Sequence, residues 1–240
     1  MDENKFSADI ESFGWTVILL EPTHYLPPAA YTVGLWKNYQ HPELIVFGLS
    51  LPALKELLNT GAEMVKDGQV MTVGKVYDDF LENNHTEFVA VNSNNISDYF
   101  GAAIDFYKTK DFPALQLVWT DQNNNFPWHA DYQEKFKYRQ PLLDRNADFK
   151  FREEKDLSVF TTRQHLELNS PILCVIHDQD GDWQFLTGDE TAGDAKVVSL
   201  QQMILKDKTL NEVFDLNYGE QATREFIGGK WERAEMKEAE

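Results

Sequence analysis

The chain has 240 residues and carries 40 acidic against 22 basic side chains, which gives a formal net charge of −18. This charge excludes binding that is driven by neutralising phosphates, so we expect neither nucleic acid nor an anionic membrane surface as a partner. Hydrophobic residues make up 42% of the sequence and aromatic residues 13%, which excludes disorder for most of the chain.

The sequence also indicates a compartment. The N-terminal segment lacks the basic start and apolar centre of a signal peptide, and no stretch reaches the roughly 20 apolar residues of a membrane span. The only cysteine, Cys174, allows no internal disulfide. Its place in the apolar run 172–176 predicts a buried, small hydrophobic residue rather than a nucleophile. We therefore predict a cytoplasmic protein.

Strand and helix patterns alternate through the first three fifths of the chain. Strands are predicted at residues 14–21, 30–36, 43–49, 70–76, 87–92 and 114–120. The short connections between the first three predict an antiparallel meander. One amphipathic helix is predicted between Ser50 and Gly68. A second is predicted near Ser97, and its apolar face carries Tyr99, Phe100, Ala103, Phe106 and Tyr107.

A charged stretch at 132–155 indicates a boundary, which predicts domains at 1–145 and 156–233. The second domain is predicted to have a strand from Leu157, a helical turn at 164–168, a hairpin at 172–186 and a strand at 197–200. Ser199 and Asp207 are predicted to cap two short helices, and the charged tail after Trp231 is predicted to fray. We predict an α+β fold of two units, each a mainly antiparallel sheet with helices packed on one side.

Polar and aromatic side chains concentrate in the loops of the first domain. The candidates for ligand or partner binding are Tyr31, Trp36, Tyr39, Asp121, Phe126, Trp128, His129 and His24. Such aromatic residues can stack on a flat ligand, anchor a protein partner or cover the core. If the loops 31–42 and 121–129 converge at a sheet edge, the two histidines and Asp121 can supply polar or proton-transfer groups.

The sequence contains no catalytic signature, so we assign no catalytic residue, no cofactor and no metal site. The six histidines lack metal-ligand spacing. Asp178, Asp180 and Asp182 alternate as in a calcium loop, but an EF-hand requires Gly and Glu where this chain has Trp183 and Asp189. A hairpin turn is the favoured interpretation of these aspartates.

A set of ordered motifs in the first domain resembles a known family. The motifs are GW at 14–15, AYTVGL at 30–35, HPELIVFGL at 41–49, LQLVWTD at 115–121, FPW at 126–128 and QPLL at 140–143. Together they resemble the domain-of-unknown-function family 4262, which implies no established chemistry. The second domain, with TTRQHL and PILCVIHDQDGDWQFLTG, resembles more loosely the 2185-type domains of unknown function associated with immunity-like proteins.

Three hypotheses follow for the function. The leading one is a bacterial, non-catalytic binding protein of immunity-like or partner-masking type, whose acidic charge favours a basic protein partner. The alternative is an enzyme or ligand-binding protein that uses a split-barrel-like first domain to bind a flavin or another flat molecule, although no phosphate-binding cluster is assigned. In the third, the second domain regulates or dimerises through an open sheet edge, which leaves a homo-oligomer open.

Overall fold

The computed structural model describes residues 3–191 and 193–236. The chain forms two compact units, Met1–Pro22 with Pro27–Ala147 and Thr23–Leu26 with Asp148–Glu240. Each unit is built on a mixed six-stranded sheet. The predicted α+β class with two mainly antiparallel sheets is confirmed, and each sheet includes one parallel pair of strands.

The first unit contains six strands and five α-helices among its described residues. The strands are β1 (Thr16–Leu20), β2 (Ala29–Val33), β3 (Glu43–Phe47), β4 (Val76–Leu81), β5 (Asn84–Ala90) and β6 (Ala114–Trp119). The helices are α1 (Glu3–Phe13), α2 (Leu35–Tyr39), α3 (Leu51–Lys66), α4 (Ile96–Tyr99) and α5 (Gly101–Tyr107). Short 3-10 turns occur at Ser93–Asn95 and Glu134–Phe136.

The strand order of this sheet is β1-β2-β3-β6-β5-β4. The predicted meander of the first three strands is confirmed, because β1, β2 and β3 pair antiparallel in sequence. The central pair β3 and β6 is parallel. The sheet is open, with β1 and β4 at its two edges. This arrangement differs from the closed sheet of the split barrel that the alternative hypothesis requires.

Both faces of the central strands are buried, which places a helical layer on each side. Helix α3 packs over one face, where Leu54 and Leu58 join Leu44 and Val46 in the main core. Since side chains alternate along a strand, Tyr31 and its neighbours in register point to the other face. There the ring of Tyr31 lies 5.0 Å from that of Phe100, between α4 and α5.

The strand predicted at 30–36 is wrong in its second half, because residues 35–39 form the short helix α2. Gly34 has φ of +121°, and a Cβ there would lie 2.6 Å from the carbonyl oxygen of Gly14. This conformation suits only glycine and redirects the chain out of the strand. The helix ends at Gln40, which adopts the left-handed conformation.

Two other predictions in the first unit need correction. Residues 70–75 form an irregular loop with a single bridge from Val73 to Phe88, so the fourth strand begins at Val76. Gly68 precedes this loop and Gly74 lies within it, and the positive φ of Gly74 prevents a continuous strand. The helix predicted near Ser97 is interrupted at Phe100 and forms the two short helices α4 and α5.

The second unit also has six strands, and its order is β10-β7-β9-β8-β11-β12. The strands are β7 (Ser158–Thr162), β8 (Cys174–His177), β9 (Trp183–Leu186), β10 (Ala195–Ser199), β11 (Glu220–Thr223) and β12 (Glu232–Glu235). The helices are α6 (Arg163–Leu168) and α7 (Leu200–Lys206), followed by a 3-10 helix at Lys208–Val213.

Local signals predicted most of this unit correctly. Ser199 forms a capping box with Gln202 at the start of α7, and Asp207 caps the following 3-10 helix. The hairpin of β8 and β9 is present. The prediction that the tail after Trp231 frays is wrong for β12, which pairs antiparallel with β11, and residues 237–240 of that tail lie outside the described residues. That pairing follows from a contact across the chain, which no local pattern in the tail indicates.

Candidate functional site

The two loops that carry most of the predicted site residues lie at opposite ends of the first sheet. Helix α2 precedes β3, whereas Asp121 follows β6. Because β3 and β6 are parallel, with Glu43 opposite Ala114 and Val46 opposite Leu117, the start of one and the end of the other are roughly 15–20 Å apart. The predicted pocket between the loops 31–42 and 121–129 is therefore not formed.

At the first end, the carboxylate of Glu43 lies at the centre of a buried network. It accepts hydrogen bonds from the hydroxyl of Thr32 at 2.6 Å and from the backbone N–H groups of Gly34 and Trp36 at 3.0 Å each. The hydroxyl of Tyr107 donates a further, short hydrogen bond. Three of the four donors bind Oε1 and one binds Oε2, and the side chain is fully buried, so the carboxylate is not accessible to a ligand.

The Glu43 network determines how the first loop is held. Burial raises the pKa of the Glu43 carboxyl, although its four donors favour the charged form. Its two backbone contacts satisfy N–H groups at the start of α2, which orients Trp36. The Trp36 ring packs edge-on against Tyr107 at 4.9 Å. The network therefore positions the loop rather than presenting a reactive group.

The other two aromatic candidates at this end have different surroundings. Tyr31 is buried in the core, where its hydroxyl accepts the N–H of Ala102, and burial raises its pKa to about 12. Tyr39 is half-buried, and its ring lies 6.5 Å from that of Trp15. Tyr39, Lys37 and Lys66 line an open cleft of about 470 Å³. Tyr31 thus stabilises the core, while Tyr39 borders a surface depression.

At the second end, Asp121 organises the loop that follows β6. It is fully buried, and its carboxylate accepts the N–H groups of Asn123 at 2.8 Å, Asn125 at 2.9 Å and Gln133 at 2.9 Å. Burial acts to raise the pKa of Asp121, but these hydrogen bonds outweigh it and lower the pKa. Asp121 is therefore a turn-forming carboxylate and has no proton-transfer geometry.

The loop that Asp121 holds presents an aromatic surface. The rings of Phe126 and Trp128 stack at 4.8 Å with an angle of 5° between their planes. Phe126 is anchored in a small core with Val89 and Val118. The guanidinium of Arg145 lies 5.1 Å from the ring of Trp128. Trp128 is thus held between an anchored ring and a cation while part of its surface stays accessible.

His129 completes this group. Its Nδ1 accepts the N–H of Phe126 at 3.2 Å, so the neutral ring carries its proton on Nε2, and the side chain is exposed. Arg145 forms a two-pronged ion pair with Asp144, with distances of 2.8 and 2.6 Å. We call Phe126, Trp128, His129 and Arg145 the Trp128 surface. Three of its four residues were predicted candidates, and the structure brings them together.

Two buried glutamines that the sequence prediction missed hold the segment beneath this surface. The amide of Gln140 accepts the N–H of Trp119 at 3.0 Å and donates to its carbonyl at 2.9 Å. The amide of Gln116 likewise accepts the N–H of Leu143 at 2.9 Å and donates to the carbonyl of Pro141 at 2.8 Å. The motif QPLL is thus attached to β6 through amide side chains.

His24, the remaining candidate, belongs to the second unit and is exposed. Its neighbour Tyr25, which was not predicted, makes the more extensive contacts. The Tyr25 hydroxyl donates to both carboxylate oxygens of Glu153, at 2.9 and 2.7 Å, and the guanidinium of Arg152 lies 3.9 Å from its ring. Tyr25 lies in a proline-rich stretch, which gave no signal of burial.

In the described part of the second unit, the alternating aspartates and Cys174 lack the geometry of a metal site and of a nucleophile, respectively. Asp178 accepts the N–H groups of Asp180 at 3.0 Å and Asp182 at 2.9 Å, which is a turn geometry. Within residues 3–191 and 193–236, no group of three or more His, Cys, Asp or Glu side chains is arranged to hold a metal ion. Burial raises the pKa of the Cys174 thiol, which disfavours a reactive thiolate.

The fold and these contacts define an α+β domain that presents a supported aromatic surface at one end of a mixed sheet. A family model described as "Domain of unknown function (DUF4262)" matches residues 9–133, more than half of the chain. The chain therefore belongs to this family. The resemblance of the second unit to 2185-type domains is not confirmed. Comparisons with curated proteins and with solved structures find no match.

None of the helices in the described part of the chain is long and apolar enough to cross a membrane.

Proposed function

We propose that this chain is a non-catalytic binding protein whose first unit docks a basic protein partner on the Trp128 surface. The observation that carries the proposal is the half-buried Trp128, which is stacked on Phe126 at 4.8 Å and flanked by Arg145 at 5.1 Å. Tryptophan and arginine are the side chains most enriched at binding hot spots. A ring that is already held in place loses little conformational freedom on binding.

Acidic side chains around the Trp128 surface support a basic partner. Asp131 is exposed in the same loop, and Asp144 is paired with Arg145. Glu87 lies close enough for its charge to interact with Arg145, although burial raises its pKa. The net charge of −18 attracts a cationic protein over longer distances. A partner-masking role in the cytoplasm fits this arrangement.

The saturation of the other polar groups favours binding over catalysis. Glu43 and Asp121 direct their carboxylate oxygens at backbone and side-chain donors of the fold. A general acid or base must instead reach a substrate proton. The joint ligand site of the alternative hypothesis also lacks its geometry, since Trp36 and Trp128 lie at opposite ends of the sheet.

The test is affinity capture from native lysate with the wild-type chain, Trp128→Ala and Tyr138→Ala, compared by quantitative mass spectrometry. Tyr138 is 42% exposed and lies outside the Trp128 surface, so its variant is a matched control. We expect one basic protein in stoichiometric amount with the wild-type and Tyr138→Ala chains, and at least a roughly tenfold loss with Trp128→Ala. Equal recovery with a folded Trp128→Ala chain would contradict the proposal.

A further inference from the structure

The four edge strands of the two sheets differ in how they are protected against pairing. An edge strand leaves backbone N–H and C=O groups unpaired, and proteins usually place charged side chains there to prevent association. Strand β4 carries Asp78 and Asp79, and β10 carries Lys196. Strand β12 carries three charged residues in its sequence ERAE. Strand β1, with the sequence TVILL, carries none.

In the described structure β1 pairs with a single strand, β2, and helices α1 and α3 also contact it. All five residues of β1 are in register with β2, from Thr16 opposite Val33 to Leu20 opposite Ala29. In an antiparallel pair, every second residue directs its N–H and C=O away from the neighbouring strand. Among the described hydrogen bonds, none joins these outward groups to another segment. The edge of β1 is therefore able to accept a further strand.

The side chains of β1 are apolar on both faces. Ile18 is buried on the Tyr31 face, while Val17 and Leu19 lie on the α3 face. Leu19 is 39% exposed and adds apolar surface at this edge. The edge of β1 therefore lacks the charged side chains that usually prevent pairing with a strand from another chain.

We propose that two copies of this chain pair through β1, edge to edge and antiparallel, and so join the sheets of their first units. The strand is complementary to itself. Pairing all five residues places Ile18 opposite Ile18 of the second copy and Val17 opposite Leu19, so apolar side chains meet on each face. Glu21, which follows β1, falls opposite Trp15 rather than another carboxylate.

Helix α3 extends the proposed surface beyond the strand. The indole N–H of Trp15 donates to Asn59 at 3.1 Å, which fixes the helix beside the start of β1. An open groove of about 670 Å³ runs along the exposed side of α3. Pro52 and Met64 supply its apolar surface, and Lys55, Glu56, Glu63 and Asp67 supply its charges. A strand pair alone buries less than the roughly 1,200 Å² of a stable interface, so the proposed dimer also requires contact along this side of the helix.

The net charge gives this dimer a distinctive salt dependence. Both copies carry −18, so they repel each other, and salt screens that repulsion. Added salt therefore strengthens the dimer. Binding of a basic partner responds in the opposite direction, because salt screens an attraction. The two proposals are independent, and this difference in sign separates the failure of one from the failure of the other.

The experiment is sedimentation velocity on the full chain over a range of protein concentrations, at low and high salt. We expect a reversible dimer that tightens with salt. Leu19→Glu places like charges from the two copies close together at the pairing, and we expect at least a roughly tenfold weaker dimer. Val70→Glu, at a valine that is 75% exposed and outside β1, is the matched control and should dimerise like wild type.

Circular dichroism and thermal unfolding check that both variants are folded. Hydrogen exchange provides a second readout, since the amides of β1 should become protected as the protein concentration rises. A wild-type chain that stays monomeric at every concentration and salt would overturn the proposal. So would a folded Leu19→Glu chain that dimerises as tightly as wild type.

Discussion

Single residues in the first unit act mainly as partners for the backbone. Glu43 satisfies N–H groups at the start of α2, Asp121 satisfies those of the loop after β6, and Gln140 pairs with Trp119. Such buried acceptors are costly to remove, because each unpaired donor that remains has lost its water. These side chains, of which Asp121 is a predicted proton-transfer candidate, therefore contribute to stability.

Glu43 provides the first test of this role. Glu43→Leu leaves the hydroxyls of Thr32 and Tyr107 and the N–H of Trp36 without this acceptor, while the N–H of Gly34 keeps the Tyr107 hydroxyl oxygen. We expect the free energy of unfolding to fall by about 3 kcal/mol or more. Glu43→Gln keeps one acceptor oxygen and can donate to Thr32, so a smaller loss of about 1–2 kcal/mol is expected. Denaturant unfolding measures both, with Glu63→Leu on the exposed side of α3 as control. A Glu43→Leu loss equal to that of Glu63→Leu would contradict the role.

Three buried histidines make stability depend on pH. Burial lowers the pKa of His41, His165 and His177, so the unfolded chain binds protons near pH 6.5 that the folded chain does not. Stability is therefore retained above the unfolded pKa and is lost as the pH falls below it, by at most about 1.4 kcal/mol per pH unit for each histidine.

Urea unfolding at pH 7.5, 6.5 and 5.5 measures this dependence. In His165→Gln, the amide can replace the hydrogen bond between Nδ1 and the carbonyl of Ser170, which is 2.8 Å long. We expect its stability to fall less steeply with decreasing pH than that of wild type. Constant stability of the wild-type chain across this range would show that the three histidines do not titrate as described.

At the scale of elements, the segment after Phe136 is attached to β6 by side-chain amides. We expect Gln140→Leu to destabilise the first unit by about 2–4 kcal/mol, because the N–H and C=O of Trp119 lose their partners in a buried site. Hydrogen exchange at the Trp119 amide should accelerate. Gln122→Leu, at an exposed position, is the control. Unchanged exchange in Gln140→Leu would contradict this attachment.

The elements also show which features a sequence can predict. Short continuous apolar runs predicted β1, β3 and β6, and cap residues predicted α7, because these signals are local. Residues 35–36 were predicted as strand because the helical start depends on the carboxylate of Glu43, which accepts the N–H groups of Gly34 and Trp36 and lies beyond the segment itself. Strand β12 was missed because only its pairing with β11 orders it.

The candidate site, too, could be predicted from the sequence only where its residues are close together in the chain. Phe126, Trp128 and His129 are close in sequence, so a single loop brings them together. Arg145 joins them through the fold and was not predicted. Trp36 was grouped with Trp128 because both follow strand-like runs. Local periodicity does not encode strand order, and the parallel pairing of β3 with β6 separates the two tryptophans.

At the scale of the whole molecule, the acidic charge is divided evenly. Each of the two units contains 20 acidic and 11 basic residues. In the proposed function, the attraction for a basic protein is therefore a property of the entire chain, and the Trp128 surface provides the specific contact. Long-range charge mainly accelerates association, and a central aromatic contact mainly slows dissociation. The salt dependence of the affinity measures the contribution of the charge, and the Trp128→Ala variant measures that of the aromatic contact.

The most direct measurement is the affinity of the captured basic partner for the purified full chain, by isothermal titration calorimetry at about 50 and 300 mM salt. We predict that wild-type affinity falls as salt rises, and that Trp128→Ala binds at least about tenfold more weakly at both concentrations. Tyr138→Ala should match wild type. Affinity that is insensitive to salt and unchanged in Trp128→Ala would contradict the proposed function.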